Sequence, residues 1–289
     1  MRSRSLTSDA LLLLTAVIWG FAFVAQRVGM EYVGPFLFNG VRFALGGLTL
    51  VPFLLQDKPG SPADPIPGKK MVLFGGLAAG LALFLGASLQ QVGIVYTTAG
   101  KAGFITGLYV ILVPIISLFW GHRIQSGTWV GVGCATVGLY LLSIKTGFVI
   151  ARGDFLMLLS AVCWACHVHV IGLFSARIGP LRLAFIQYMV CAVLSLVIAL
   201  VSENITTQGL LGAAIPILYG GILSVGVAYT LQVVAQQKAH PAHAAIILSL
   251  ETVFAAFGGW IILGEVLSLR GLIGCGFMLV GMIISQLKW

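Results

Sequence analysis

The chain reads as long apolar runs separated by short polar links. Runs of roughly 17 to 25 residues, the length a helix needs to cross the hydrocarbon layer, fall at 9–27, 34–55, 70–93, 98–120, 127–145, 154–174, 181–201, 210–236, 242–263 and 269–287. This pattern predicts an all-α membrane protein with ten transmembrane helices. Gly34-Pro35, Gly179-Pro180 and Pro241 stand at predicted helix starts, where a missing N–H matters least. The one long polar link runs from Gln56 to Lys70 and carries Pro59, Pro62, Pro65 and Pro67. Pro114 and Pro216 lie inside spans, where kinks and freed backbone carbonyls are expected.

The blocks repeat. The run from Asp9 to Trp19 (DALLLLTAVIW) returns from Asp154 to Trp164 (DFLMLLSAVCW), an offset of 145 residues. At the same offset Gly34-Pro35 returns as Gly179-Pro180, and Gly75-Gly76 as Gly220-Gly221. After a slip of two residues, Gly121, Gly131, Gly133 and Gly138 match Gly264, Gly274, Gly276 and Gly281. A few glycine matches arise by chance in a chain with 37 glycines; Asp, Ala-Val, Trp and Gly-Pro in one frame do not. The repeat predicts two five-helix units, residues 1–146 and 147–289. Because five is odd, the second unit enters the membrane from the opposite side. Inverted repeats of this kind are typical of secondary transporters, with the binding site near the mid-plane between the halves.

Composition agrees with the pattern. Of 289 residues, 59% are hydrophobic and 8% charged, with a mean hydropathy of +1.07; a soluble domain carries roughly 25% charged residues. The net charge of +8 is not gathered into a basic patch, so nucleic acid is not expected as a partner. The basic residues instead report topology. With the N-terminus inside, Arg2, Arg4, Lys58, Lys69, Lys70, Arg123, Arg177, Arg182, Lys238 and Lys288 fall on the inner side. Arg27, Lys101, Lys145, Arg152 and Arg270 fall on the outer side. This bias places both termini in the cytoplasm of a multi-pass inner (plasma) membrane protein. The basic start followed by an apolar run resembles a signal peptide, but the run continues to Ala25 without a small-x-small cleavage site, so it is expected to stay as the first helix.

The block from Thr98 to Pro114 (TAGKAGFITGLYVILVP) and the block from His243 to Glu265 (HAAIILSLETVFAAFGGWIILGE) resemble the EamA-type branch of the drug/metabolite transporter superfamily. The opening AVIWG at Ala16–Gly20 and the Arg42-Phe43 pair fit the same family, and the likeness covers essentially the whole chain. It implies ten helices in two inverted halves, a central cavity, and export of small metabolites such as amino acids or related compounds. It also implies a structural role for Arg42. Two departures stand out. Thr252 occupies a position that is often Pro in the family, after the helix 9 Glu, and His122 replaces a Glu common at the end of helix 4, while Glu265 keeps it in the second half.

Polar groups within spans are expensive and usually face a cavity or a partner. Helical spacing collects Thr15, Trp19 and Gln26 on one stripe, and their repeat counterparts Ser160, Trp164 and His167 on another. Tyr229, Gln232 and Gln236 form a third. Gln90 and Gln91 lie in helix 3, with Gln91 matching Gln236; Thr106 and Tyr109 are matched by Ser249 and Thr252. The candidate substrate-binding set is therefore Trp19, Gln91, Tyr109, Trp164, His167, Tyr229, Gln232, Gln236 and Glu251. Aromatic rings with neutral hydrogen-bonding groups suit a small amphipathic organic molecule; the same residues also serve helix packing. Glu251, near the middle of helix 9, is the sharpest candidate, either for proton coupling or for a substrate amine. The bland alternative makes it a structural partner of a Tyr, a His or Arg42. Lys101 is expected to snorkel to the outer edge, and His240 and His243 to be interfacial.

Cys163-Trp-Ala-Cys-His167 matches the c-type haem attachment pattern. It falls mid-span and its repeat counterpart lacks cysteine, so packing cysteines are expected and no cofactor. All five cysteines lie in predicted spans. Neither a Walker loop nor HExxH spacing is present, so no metal site is expected and gradients, with protons as the candidate coupling ion, must supply any energy. The residues favour a secondary transporter, an exporter above all, over a lipid-acting membrane enzyme or a non-transporting sensor, and no enzymatic activity is expected. Expected partners are a small-molecule substrate and the bilayer. Two halves in one chain make a monomer sufficient, and a dimer is compatible with it.

Overall fold

The computed structural model describes residues 2–56, 68–118, 126–143, 150–239 and 241–284. The described residues fold into helices: α1 (Arg2–Gly29), α2 (Pro35–Gln56), α3 (Lys69–Ile94), α4 (Ala99–Gly107), α5 (Tyr109–Ser117), α6 (Ser126–Ser143) and α7 (Arg152–Ile178). Then follow α8 (Pro180–Ser202), α9 (Thr207–Gly212), α10 (Ala214–Leu218), a π-helical stretch Tyr219–Tyr229, α11 (Thr230–Gln236), α12 (Pro241–Leu248), α13 (Glu251–Leu263) and α14 (Leu269–Ile284). Among the described residues, seven continuous stretches are long and apolar enough to cross a bilayer: Leu6–Gly29, Pro35–Gln56, Lys69–Ile94, Ala99–Ser117, Arg152–Ile178, Pro180–Ser202 and Ala214–Gln236. Three shorter apolar helices join them, Trp129–Leu142, Glu251–Leu263 and Leu269–Ile284.

The surface is apolar and the interior carries the polar groups, the reverse of a soluble globule. Leu200 and Val201 are 72% and 86% exposed, and Phe53, Leu55, Phe74, Trp260 and Ile261 also face outward. Arg42, Asp154, His167 and Glu251 are buried. A multi-pass membrane protein is the arrangement that tolerates both.

Helix starts follow the local chemistry. Pro35 and Pro180 open α2 and α8. Gly179, at φ 90°, makes the left-handed turn from α7 directly into α8, which a side chain would oppose. Two caps come from far along the chain. Glu203, just past α8, accepts from the N–H groups of Phe36 and Leu37 at 2.8 Å each. Glu265 accepts from Ala99 at 2.7 Å and Gly100 at 2.9 Å. Each carboxylate satisfies two orphan donors and meets the positive end of a helix. The Glu265 cap depends on Gly264, whose φ of 65° ends α13 and sends the Glu265 N–H back to the Gly259 carbonyl.

The helices pack as partners across the chain: α2 on α8, α3 on α7 and α8, α1 on α13 and the π stretch, and α4 on α13. At the margin α6 pairs with α14. Pro114 sits within α5, and Pro216 lies in the first turn of α10, where its missing N–H removes no helical bond. Helix interruptions lie at Leu108 and at Ser249–Leu250, where i→i−3 bonds replace α-helical ones. Mid-helix tightening of this sort marks functional hinges. Near Pro114, the Val113 carbonyl accepts from His169 Nε2 at 2.8 Å. Residues 57–67 of the long polar link, His122 and His240 lie outside the described residues, as does the side chain of His243.

Candidate functional site

Residues flanking both helix interruptions, Thr106 and Tyr109 on one side and Glu251 on the other, line one narrow cavity in the middle of the bundle. Its wall draws on α1, α2, α3, α4, α5, α7, the π stretch, α11 and α13. At the centre stands the Tyr229 ring. Its centroid lies 4.5 Å from Trp19, 5.9 Å from Trp164, 6.0 Å from Phe43, 6.3 Å from Tyr188 and 6.4 Å from His167. Such spacings suit tilted and edge-to-face aromatic contacts.

The two tryptophans of the repeat are held differently. Trp19 Nε1 donates to the Ser224 carbonyl at 3.2 Å, a backbone oxygen of the π stretch. Trp164 Nε1 donates to Gln90 Oε1 at 2.9 Å, and Gln90 Nε2 donates onward to Gln26 Oε1 at 2.8 Å. This chain of bonds fixes the amide orientations on α1 and α3 and leaves an aromatic face toward the cavity. His167 Nε2 meets Gln187 Oε1 at 2.8 Å, which has to accept, so the histidine donates there. Its Nδ1 is then the acceptor that remains in the neutral ring.

Buried polar atoms are ordinarily paired, yet several on this wall are not. Arg42 Nη2, Thr106 Oγ1, the Tyr109 hydroxyl, His167 Nδ1 and Gln232 Oε1 are buried without a hydrogen-bond partner. All five residues line the same cavity. The Tyr109 hydroxyl lies against the Glu251 side chain without closing a bond of standard geometry. Glu251 begins α13 immediately after the second interruption and is 4% exposed. A wall with this many open donors and acceptors is one that a polar ligand or water completes.

Of the residues anticipated from sequence, Trp19, Tyr109, Trp164, His167, Tyr229, Gln232 and Glu251 line the cavity. Gln91 and Gln236 stand behind it, both buried. Gln91 Nε2 donates to the Gln26 carbonyl at 3.3 Å, and both side-chain polar atoms of Gln236 lack partners. Arg42, read as structural, is on the wall itself. Its neighbour Asn39, which accepts from Arg42 Nε at 3.0 Å, gave no signal beyond being polar. Ser224 could not have been placed from α-helical spacing, because the π stretch rotates it. The residues of the haem-like motif point different ways: Cys166 is exposed, while His167 faces the cavity. Among the described residues no three His, Cys, Asp or Glu stand together as a metal site.

Lys101 does more than reach the edge. Its Nζ lies 2.6 Å from Asp154 Oδ2, and Thr97 Oγ1 donates to Asp154 Oδ1 at 2.8 Å. This pair ties the start of α4 to the start of α7, at the same end of the bundle as the Glu265 cap.

The family model described as "EamA-like transporter family" matches the chain twice, over residues 6–144 and 151–286. An uncharacterized transporter of Archaeoglobus fulgidus is 35% identical over 289 residues, covering 99% of this chain and 87% of that one. A probable amino-acid metabolite efflux pump of Salmonella typhimurium is 26% identical over 160 residues, 54% of this chain and 50% of that protein. One solved crystal structure shares the fold, with a TM-score of 0.69 at 18% identity and 96% of both chains covered.

Proposed function

The chain belongs to the EamA-like transporter family, and on that footing we propose that it is a secondary transporter carrying a small amphipathic metabolite through the central cavity by alternating access. Export is the favoured direction, and amino acids or related compounds are the favoured substrates. The observation that carries the reading is the gathering of unpartnered buried polar atoms on one aromatic-walled cavity, at the level of two helix interruptions. Broken helices at mid-membrane sites are how transporters hold polar substrates in a bilayer. The name of the Salmonella relative supports the substrate class.

In this reading the seven long and three short apolar helices are ten spans in two inverted halves, 1–146 and 147–289. Exchange of the halves supports it. The Thr15 hydroxyl, bonded to the Leu11 carbonyl at 2.9 Å, also lies 3.3 Å from the Ala228 carbonyl, and its repeat counterpart Ser160 donates to the Gly86 carbonyl. Pairing of α1 with the π stretch likewise mirrors pairing of α7 with α3. The basic-residue bias sets both termini in the cytoplasm of the plasma membrane. The end bearing the Glu203 and Glu265 caps and the Lys101–Asp154 pair then faces outward.

Glu251 is the proposed coupling residue. The titratable and charged groups that share its cavity are Tyr109, His167, Tyr229 and Arg42. A carboxyl that exchanges a proton for substrate links transport to the proton gradient. The test is metabolite profiling of cells and medium, with and without overexpression, beside Glu251→Gln. The expected result is a compound enriched in the medium only with intact Glu251, its efflux changing with external pH. Depletion from the medium would reverse the direction; efflux by the Gln variant with the same pH profile would remove Glu251 from the mechanism.

A further inference from the structure

An arginine and a glutamate line the cavity and do not pair with each other. Arg42 is 1% exposed. Its Nε is held by Asn39, and its guanidinium carbon lies 4.9 Å over the Phe43 ring and 5.5 Å over Phe38. Its Nη2 has no hydrogen-bond partner. Among the described residues the ion pair is Lys101–Asp154, and neither Arg42 nor Glu251 enters one. Tyr229 lines the same cavity as both.

A buried guanidinium with a free N–H and no counter-ion is poorly stabilised by two aromatic faces and one amide alone. It is also more than helix packing requires, since the stem and Nε already fix the side chain. What remains is a donor edge shaped for a planar anion. Glu251 presents the complementary acceptor from the other half of the chain.

Resting on the transporter reading above, we propose that Arg42 and Glu251 are the two poles of a zwitterion subsite. Arg42 takes the carboxylate and Glu251 the ammonium group of an α-amino-acid-like substrate, whose apolar side chain lies against Trp19, Trp164 and Tyr229. A molecule carrying both charges satisfies both buried poles at once; an amine or an acid alone leaves one of them unpaired. Sites built around a polar group discriminate strongly against analogues that lack it. Selectivity for the zwitterion thus comes from two buried groups that lack counter-ions, and the choice of side chain from the aromatic wall.

The experiment uses the purified full chain in lipid nanodiscs, with binding read by calorimetry and thermal shift. The probes are the free proteinogenic L-amino acids; for each that binds, the amide removes the carboxylate and the N-acetyl derivative removes the ammonium. At least one apolar or aromatic amino acid is expected to bind, with both derivatives at least about tenfold weaker. Arg42→Gln is expected to weaken the free amino acid about tenfold and to abolish the preference over the amide. Arg42→Lys, which keeps the charge without the fork, is expected to fall between. Glu251→Gln should abolish the preference over the N-acetyl derivative. Equal binding of acid and amide by the wild type overturns the assignment even if the Arg42 variants fail to fold. So does undiminished binding by Arg42→Gln. Absence of amino-acid binding beside export of some other compound overturns the zwitterion subsite alone, whereas absence of both overturns the transporter reading with it.

Discussion

Removing the carboxylate of Glu265 is expected to destabilise the bundle by an amount the geometry sets. Its two oxygens accept the Ala99 and Gly100 N–H groups at 2.7 and 2.9 Å. Hydrogen bonds to charged groups contribute roughly 1.5–3 kcal/mol each. Because the pair is only partly buried, the lower figure applies, giving about 3 kcal/mol for Glu265→Ala. Glu265→Gln keeps one acceptor and loses the charge facing the helix end, so about half of that is expected. At ~2 °C per kcal/mol for a chain of this size, the Ala variant melts about 6 °C lower and the Gln variant about 3 °C lower. Intrinsic-fluorescence melts in one detergent at one scan rate would measure both. Glu203→Ala serves as an internal standard, since Glu203 caps α2 with the same two-bond geometry. The reasoning fails if Glu265→Ala melts with the wild type, or if Gln loses as much as Ala.

Other expectations follow from close contacts elsewhere. A Cβ at Gly20 would meet the Phe254 side chain and approach the Glu251 carbonyl oxygen to 2.9 Å. Gly20→Val is therefore expected to wedge α1 from α13 beside the cavity, costing about 2 kcal/mol in the same melting assay and abolishing transport; a variant that melts and transports normally would contradict the packing. Lys101→Met leaves the buried Asp154 carboxylate with Thr97 alone, an expected loss of about 3 kcal/mol. Lys101→Met with Asp154→Leu should recover most of it. A double-mutant cycle whose coupling energy is zero would refute the pairing.

The apolar runs carry the helices plainly, because a bilayer demands length and hydrophobicity and both are written locally. Predicted starts at 34, 181 and 242 fall within a residue of Pro35, Pro180 and Pro241, since proline at a helix start is a local rule. Seven of the nine anticipated site residues reach the cavity, because residues spaced three and four apart share a helical face. The tightening of the helices at Leu108 and at Ser249–Leu250 carries no mark in the sequence. Ser224 and the depth of Gln91 and Gln236 were also illegible, because a π stretch and the offset of neighbouring helices rotate faces that α-helical spacing holds fixed. Glu203 and Glu265 show the same limit, each capping a helix more than 160 residues away. Arg42 shows it most sharply: sequence marks the charge as buried, but whether it packs or points into a cavity depends on which partners the other helices bring within reach. The sequence by itself determined which segments the membrane accepts and that the motif from Asp9 to Trp19 returns from Asp154 to Trp164. The tertiary structure alone decided which buried polar atoms stay unpaired, since pairing depends on neighbours far away along the chain.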